Sequence, residues 1–203
     1  MTAECGATLR VASDERRGAS HHNGSAMKLL VTGGSGFFGD LLVRRLLARG
    51  DAVVNVDLQP DENRHPNLTS VRGDLRDRAT VDRVFAEHRF DGVLHCAAIL
   101  AHAVKDKKFL WESNVDGTRN VVEGCRKAGV KQLVFTSTNC LWARDFGRPV
   151  REDDVPDPVE VYGRSKAEAE RVLTANADAV NSVIIRTPTI IDAGRLGLLA
   201  ILF

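Results

Sequence analysis

The sequence has no excess of either charge. It carries 28 Lys and Arg against 27 Asp and Glu, a formal net charge of +1. No strong field therefore exists to recruit nucleic acid or an anionic membrane surface. No run reaches the ~18 apolar residues that a membrane-spanning helix needs. The first 26 residues lack the apolar stretch of a secretory signal. Cysteine is sparse and scattered, and Cys5, Cys96, Cys125 and Cys140 form no Cys-x-x-Cys pair and no cluster with histidine. That pattern argues against a zinc site and a disulfide framework, so the expectation is no metal and a reducing, cytoplasmic setting. Cys140 reads as a small half-buried thiol rather than a nucleophile. No internal repeat is present.

What remains is the composition of a globular protein, 43% hydrophobic and 27% charged. A chain of this length buries roughly 70% of its unfolded surface. Residues 1–26 read as a disordered tail, rich in Gly, Ser, Ala and charge and without periodicity. His21 and His22 within it read as a solvated pair. The folded domain is expected over residues 27–203, with Met27 a candidate natural start.

From Met27 onward short apolar runs alternate with helical patterns. Strands are expected at 28–32, 52–56, 68–71, 92–95, 132–136 and 182–186. Helices are expected at 37–49, 78–87, within 105–128 and at 161–176. The first carries Phe38, Leu41, Leu42, Leu46 and Leu47 at helical spacing, and the second Val81, Val84 and Phe85. Residues 144–160 are polar and hold three prolines, so they form a loop. Strands rich in Val, Ile and Leu between helices indicate an α/β fold with a parallel sheet covered on both faces.

The strongest signal follows the first strand. Gly33, Gly36 and Gly39 punctuate a turn that opens a helix, with Ser35, Phe37 and Phe38 between them. Glycine permits the tight turn and a close backbone approach to a pyrophosphate. The unpaired amides and positive end of the helix then hold phosphate. Asp57 closes the second strand, where a carboxylate accepts hydrogen bonds from ribose hydroxyls and repels a 2′-phosphate. Leu58 and Gln59 follow it and supply no positive charge. The motif therefore reads as a site for NAD rather than NADP.

The Gly-x-x-Gly-x-x-Gly spacing resembles the extended short-chain dehydrogenase/reductase family, and within it the NAD-dependent epimerase/dehydratase group acting on nucleotide sugars. The likeness runs from about Met27 to about Ile191. It implies a doubly wound Rossmann sheet of strand order 3-2-1-4-5-6. Gly73-Asp74-Leu75-Arg76-Asp77 is similar to the family's turn beside the adenine, which assigns Asp74 and Leu75 there. The bland alternative is a helix N-cap, which Asp77 alone could supply. His95-Cys96-Ala97-Ala98 looks like the small-residue segment along the cofactor, with Ala97 and Ala98 touching it and His95 structural. Asn114 matches the family's asparagine that supports the active site.

Tyr162 and Lys166 match the family's catalytic Tyr-x-x-x-Lys, in which the lysine also holds the nicotinamide ribose. The spacing sets both on one helix face. Free tyrosine titrates near ~10, and a nearby ammonium is expected to lower that value. Thr138, four residues before Trp142, aligns with the family's substrate-binding hydroxyl, and Ser137 is the runner-up. Both hydroxyls could instead satisfy backbone groups at a strand end. Asn139 and Cys140 stand where sugar dehydratases of this family carry an acidic pair, so dehydration is disfavoured. Family members continue well past the sixth strand, so the substrate lobe is expected to be largely absent here.

Two classes of function follow. One is an oxidoreductase or isomerase, in which Tyr162 takes a proton from a nucleotide sugar while hydride passes to NAD. It could be an epimerase or a dehydrogenase, and a 3β-hydroxysteroid-dehydrogenase-like enzyme shares the motifs. The other is an NAD-binding module without turnover. The resemblance also implies a homodimer through a four-helix bundle built from the helix within 105–128 and the one bearing Tyr162.

Overall fold

Branched apolar residues dominate the strands, and such residues buried on both faces favour a parallel sheet. The computed structural model describes residues 25–190. The strands are β1 (Lys28–Thr32), β2 (Ala52–Asp57), β3 (Leu68–Arg72), β4 (Gly92–His95), β5 (Gln132–Thr138) and β6 (Asn181–Thr187). All neighbours pair in parallel, in the order β3-β2-β1-β4-β5-β6. The doubly wound order implied by the resemblance is the one observed. Most of the expected tail, with Cys5, His21 and His22, lies outside the described residues, as does everything after Ile190.

The helices are α1 (Phe37–Arg49), α2 (Arg78–Glu87), α3 (Lys107–Trp111), α4 (Gly117–Ala128) and α5 (Val161–Thr174). Successive strand residues point to opposite faces. Leu30, Val54, Val56, Val93, Leu133 and Phe135 join Val84, Phe85, Val121 and Leu173 in the larger core, under α2, α4 and α5. Leu29, Val31 and Val53 meet Val43, Leu46 and Leu47 of α1 on the other face. The buried stripe of α1 is thus Gly39, Val43, Leu46 and Leu47. Phe38 and Leu41, apolar at helical spacing, are instead 36% and 40% exposed. On this face α1 packs against β1 and β2, whereas Val183 and Ile185 of β6 stay about half exposed.

Four strands, β2, β3, β5 and β6, run one or two residues past their expected ends. Pairing explains each: Asp57 still pairs with Arg72, and β5 follows β6 as far as Thr138 beside Thr187. The long helix expected within 105–128 runs unbroken from Lys107 to Ala128 and ends at Gly129, but it is not α-helical throughout. A π-helical turn at Glu112–Asp116 joins α3 to α4, and such a turn re-aims side chains at functional sites. Asp77 caps α2 and Asp106 caps α3 through backbone amides. α5 ends at Thr174 rather than residue 176, in a turn closed by Asn176 on the Val172 carbonyl. No helix of the described residues is long and apolar enough to cross a membrane.

The strand order reverses between β1 and β4. Chain segments leaving those two strands diverge, so a crevice opens beyond their carboxyl ends. The predicted motifs stand at the ends of β2, β1, β4 and β5, in that spatial order.

Candidate functional site

Gly33 ends β1 in the left-handed region at φ +74°, which disfavours a side chain. A Cβ there would lie 2.6 Å from the Ala97 backbone, and one on Gly39 only 2.0 Å from the Gly33 carbonyl. The turn, the start of α1 and the segment after β4 thus meet backbone to backbone. The turn amides are engaged by the protein itself. Gly33 donates to the Val56 carbonyl, Gly34 to Asn55 Oδ1, Ser35 to Asp57 Oδ2 and Gly36 to the Gly33 carbonyl. The expected phosphate contact through unpaired turn amides therefore narrows to the first turn of α1. The amides of Phe38 and Gly39 have no acceptor within the helix, and Gly36 supplies no capping side chain.

Asn55 was not legible as a site residue. It is 1% exposed in the middle of β2, and its amide nitrogen donates to Ser35 Oγ and Asp61 Oδ2. Its signal was a lone amide inside an apolar run. Asp57 accepts from the amides of Ser35 and Gln59. A carboxylate has about four acceptor positions, so capacity for further donors remains. Asp74 is tied to the Arg76 guanidinium, with Nη2 2.6 Å from Oδ2. That partner holds its carboxyl below the ordinary carboxylate range. Arg76 in turn lies 4.4 Å over the Phe109 ring. Asp77, not Asp74, caps α2, which leaves Asp74 on the cleft wall.

His95 is structural, as expected. Its Nδ1 lies 2.6 Å from Thr32 Oγ1 and its Nε2 2.9 Å from Thr118 Oγ1. Thr118 gives its own proton to the Asn114 carbonyl. Nε2 must then carry the ring proton, and Nδ1 accepts from Thr32. Burial pulls His95 down to about 3, so the ring is neutral.

Asn114 sits in the π-helical turn, 2% exposed. It exchanges hydrogen bonds with the Ile99 backbone and donates to Ser165 Oγ. Ser165 Oγ donates to the Tyr162 carbonyl at 2.7 Å. A relay of short contacts thus links Asn114 to the first turn of α5.

Tyr162 is held protonated. Burial pushes its phenol up to about 12, the nearby Cys140 adds to the rise, and the Thr138 hydroxyl offsets part of it. Lys166 is 1% exposed, with Nζ 3.8 Å from the Phe135 ring centroid. Burial pulls it down to about 7, which Cys96 and Glu170 partly resist. The expectation that a neighbouring ammonium lowers the phenol is therefore corrected for the free protein. Loss of water outweighs the Thr138 hydrogen bond on the phenol, and both groups move toward neutrality.

Ser137 and Thr138 both line the cleft, but their hydroxyls have different partners. Ser137 donates to Glu170, whereas Thr138 accepts from the Cys140 amide at 3.1 Å. The Thr138 hydroxyl also meets the Tyr162 phenol, and the side chain is 6% exposed on the cleft wall. Cys140 is exposed rather than half-buried, because it lies on the 3-10 turn after β5.

One cleft of about 930 Å³ joins these groups. Gly33, Gly36, Phe37, Phe38 and Gly39 line it together with Asp57. Asp74, Leu75, Ala97 and Ala98 continue the wall to Thr138 and Tyr162. Ser35, Asn114 and Lys166 stand behind this wall. Ser35 turns its hydroxyl to the Gln59 carbonyl. Carboxylates at one end, helix amides at the β1 end and a phenol beyond β5 fit an elongated, doubly phosphorylated nucleotide.

The NAD dependent epimerase/dehydratase family matches residues 29–195. The uncharacterized protein y4nG of Sinorhizobium fredii is 36% identical over 176 residues, 86% of this chain and 44% of that protein. The Thermus thermophilus UDP-glucose 4-epimerase, crystallised with NAD, is 36% identical with a TM-score of 0.72. The match covers 79% of this chain and 54% of that one. The Bordetella bronchiseptica enzyme WbmG, in complex with NAD and UDP, is 29% identical with a TM-score of 0.74, covering 80% and 53%. This chain spans about half the length of the relatives it matches.

The buried neutral His95 sets a pH dependence. Between its ordinary 6.5 and about 3, the unfolded chain binds a proton that the folded chain refuses. Stability is then complete above pH 6.5 and falls on acidification through that window. From pH 7 to pH 5 the native chain should lose about 2 kcal/mol more than a His95→Gln variant. Urea unfolding at the two pH values reads the difference, and parallel losses would refute the assignment.

Proposed function

Because the chain belongs to the NAD-dependent epimerase/dehydratase family, we propose that it binds NAD in the 930 Å³ cleft and acts on a nucleotide sugar. One observation carries this reading. Asp57, the start of α1, Thr138 and Tyr162 all open into a single cleft across the switch point of the sheet. Asp57 would hold the adenosine ribose, Asp74 and Leu75 the adenine, and the first turn of α1 the pyrophosphate. Ala97 and Ala98 supply a small-residue wall. Bound NAD supplies reversible hydride acceptance.

Tyr162 and Thr138 then serve the substrate hydroxyl. Thr138 has a proton to give, because its acceptor position is the one taken by the Cys140 amide. Tyr162 must lose its proton to act as a base, and burial opposes this. A positive charge entering the cleft beside it lowers the phenol's value. Lys166, near its own midpoint at about 7, can regain its ammonium when ribose hydroxyls replace lost water. Asn114 holds the first turn of α5 through Ser165. Asn139 and Cys140 in place of an acidic pair favour epimerase or dehydrogenase chemistry over elimination of water. The neighbours bearing UDP or named UDP-glucose 4-epimerase support a sugar nucleotide over a steroid. The free thiols of Cys96, Cys125 and Cys140 fit a cytoplasmic setting.

Calorimetry with NAD tests the cofactor. Asp57→Ala should raise the dissociation constant at least ~10-fold, as expected for a lost hydrogen bond to a charged group, and should narrow the preference over NADP. Absence of heat with the native chain would overturn the reading. Tyr162→Phe should leave NAD affinity within about threefold and reduce UDP-glucose turnover by ~10²-fold or more. NAD binding without Tyr162-dependent turnover would reduce the protein to a cofactor-binding module.

A homodimer completes the proposal. α4 and α5 lie side by side, joined at their outer edge by Arg119 between Asp116 and Glu168. Sedimentation at micromolar concentration should show a dimer, and a monomer would overturn that part.

A further inference from the structure

The buried network behind Ser137 is not used by the chemistry above. Glu170 is 6% exposed, one helical turn beyond Lys166 on α5. Its Oε1 accepts the Ser137 hydroxyl at 2.5 Å. Its Oε2 lies 2.8 Å from Arg186 Nη2 on β6. Arg186 also donates to the Glu152 carbonyl at 2.6 Å and stands 5.1 Å over the Trp142 ring. Thr187 closes the same corner by donating to the Ser137 carbonyl. The carboxylate therefore ties α5 to the end of β5 and to β6, and Arg186 extends the tie to the loop after Trp142.

We propose that Glu170 is a positioning residue of the proton-transfer site: it removes the Ser137 hydroxyl from the cleft chemistry and locks the end of β5 so that Thr138 alone is presented to Tyr162. The inference rests on the function proposed above. Its geometry is specific. Ser137 and Thr138 are adjacent, so strand alternation sends their side chains to opposite faces. Anchoring one hydroxyl on the helix-covered face sets the direction of the other. Arg186 supplies the countercharge that offsets the cost of burying the carboxylate.

The chain contains one tyrosine, so a ¹³C label at Tyr Cζ gives a single NMR line from Tyr162. Thr138→Val should move that line. Glu170→Gln should move it in the same direction by at least half as much. The double variant should move it no further than Thr138→Val alone, and Glu170→Asp should restore part of the native position. Additive shifts, or a lower melting temperature with the line in place, would overturn the proposal. Should Glu170→Gln fail to fold, Ser137→Ala removes only the hydroxyl that Glu170 holds. It should shift the line in the same direction, and no shift would overturn the proposal. NAD binding by the native chain is read separately by calorimetry. Its loss would sink the cofactor reading and leave the Glu170–Thr138 coupling standing.

Discussion

The contact of Gly33 with the Ala97 backbone and of Gly39 with the Gly33 carbonyl sets everything else in the cleft. A side chain at either place would push α1 or the segment after β4 outward. The first-turn amides of α1 would then leave the floor that lies between Asp57 and Ala97. Asn55 and Asp57 complete this constraint from β2, because each takes one amide of the turn. The bend is thereby pre-organised, and the amides of Phe38 and Gly39 follow it with no acceptor within the helix.

The opposite end of the cleft is governed by exclusion of water. Tyr162, Lys166 and His95 all lose stabilisation of their charged forms through burial. Their neutrality has different consequences. His95 is satisfied on both ring nitrogens and pins Thr32 to Thr118, so it joins β1 to α4 without titrating. Lys166 has the face of Phe135 beneath it, and Tyr162 stands on the cleft wall. Tyr162 is open to a change in its surroundings, whereas His95 has both ring nitrogens occupied. A shifted titration marks a site only where the group can be reached.

Much of this was legible in the residues. The six strands follow from short Val- and Leu-rich runs, and α1 from the glycines before it and Gly50 after it. Tyr162 and Lys166 share a helix face by spacing alone. Ends were less legible. Strand pairing, a property of two segments at once, carried β5 on to Thr138. The π-helical turn that holds Asn114 has no periodic signal of its own. Asn55 carries only the weak signal of a lone amide in an apolar run and Glu170, a glutamate in a helix, carries none, and only their partners give them meaning.

The sequence by itself determined the order of elements, the glycine turn, the acid at the end of β2 and the tyrosine–lysine pair. Those are local patterns, readable from spacing and residue type. Tertiary structure alone decided which of two neighbouring hydroxyls faces Tyr162, which turn amides remain for a ligand, and in which direction the phenol titrates. Each of these depends on burial and on partners tens of residues away. Desolvation and hydrogen-bond saturation belong to the assembled cleft, not to any one segment.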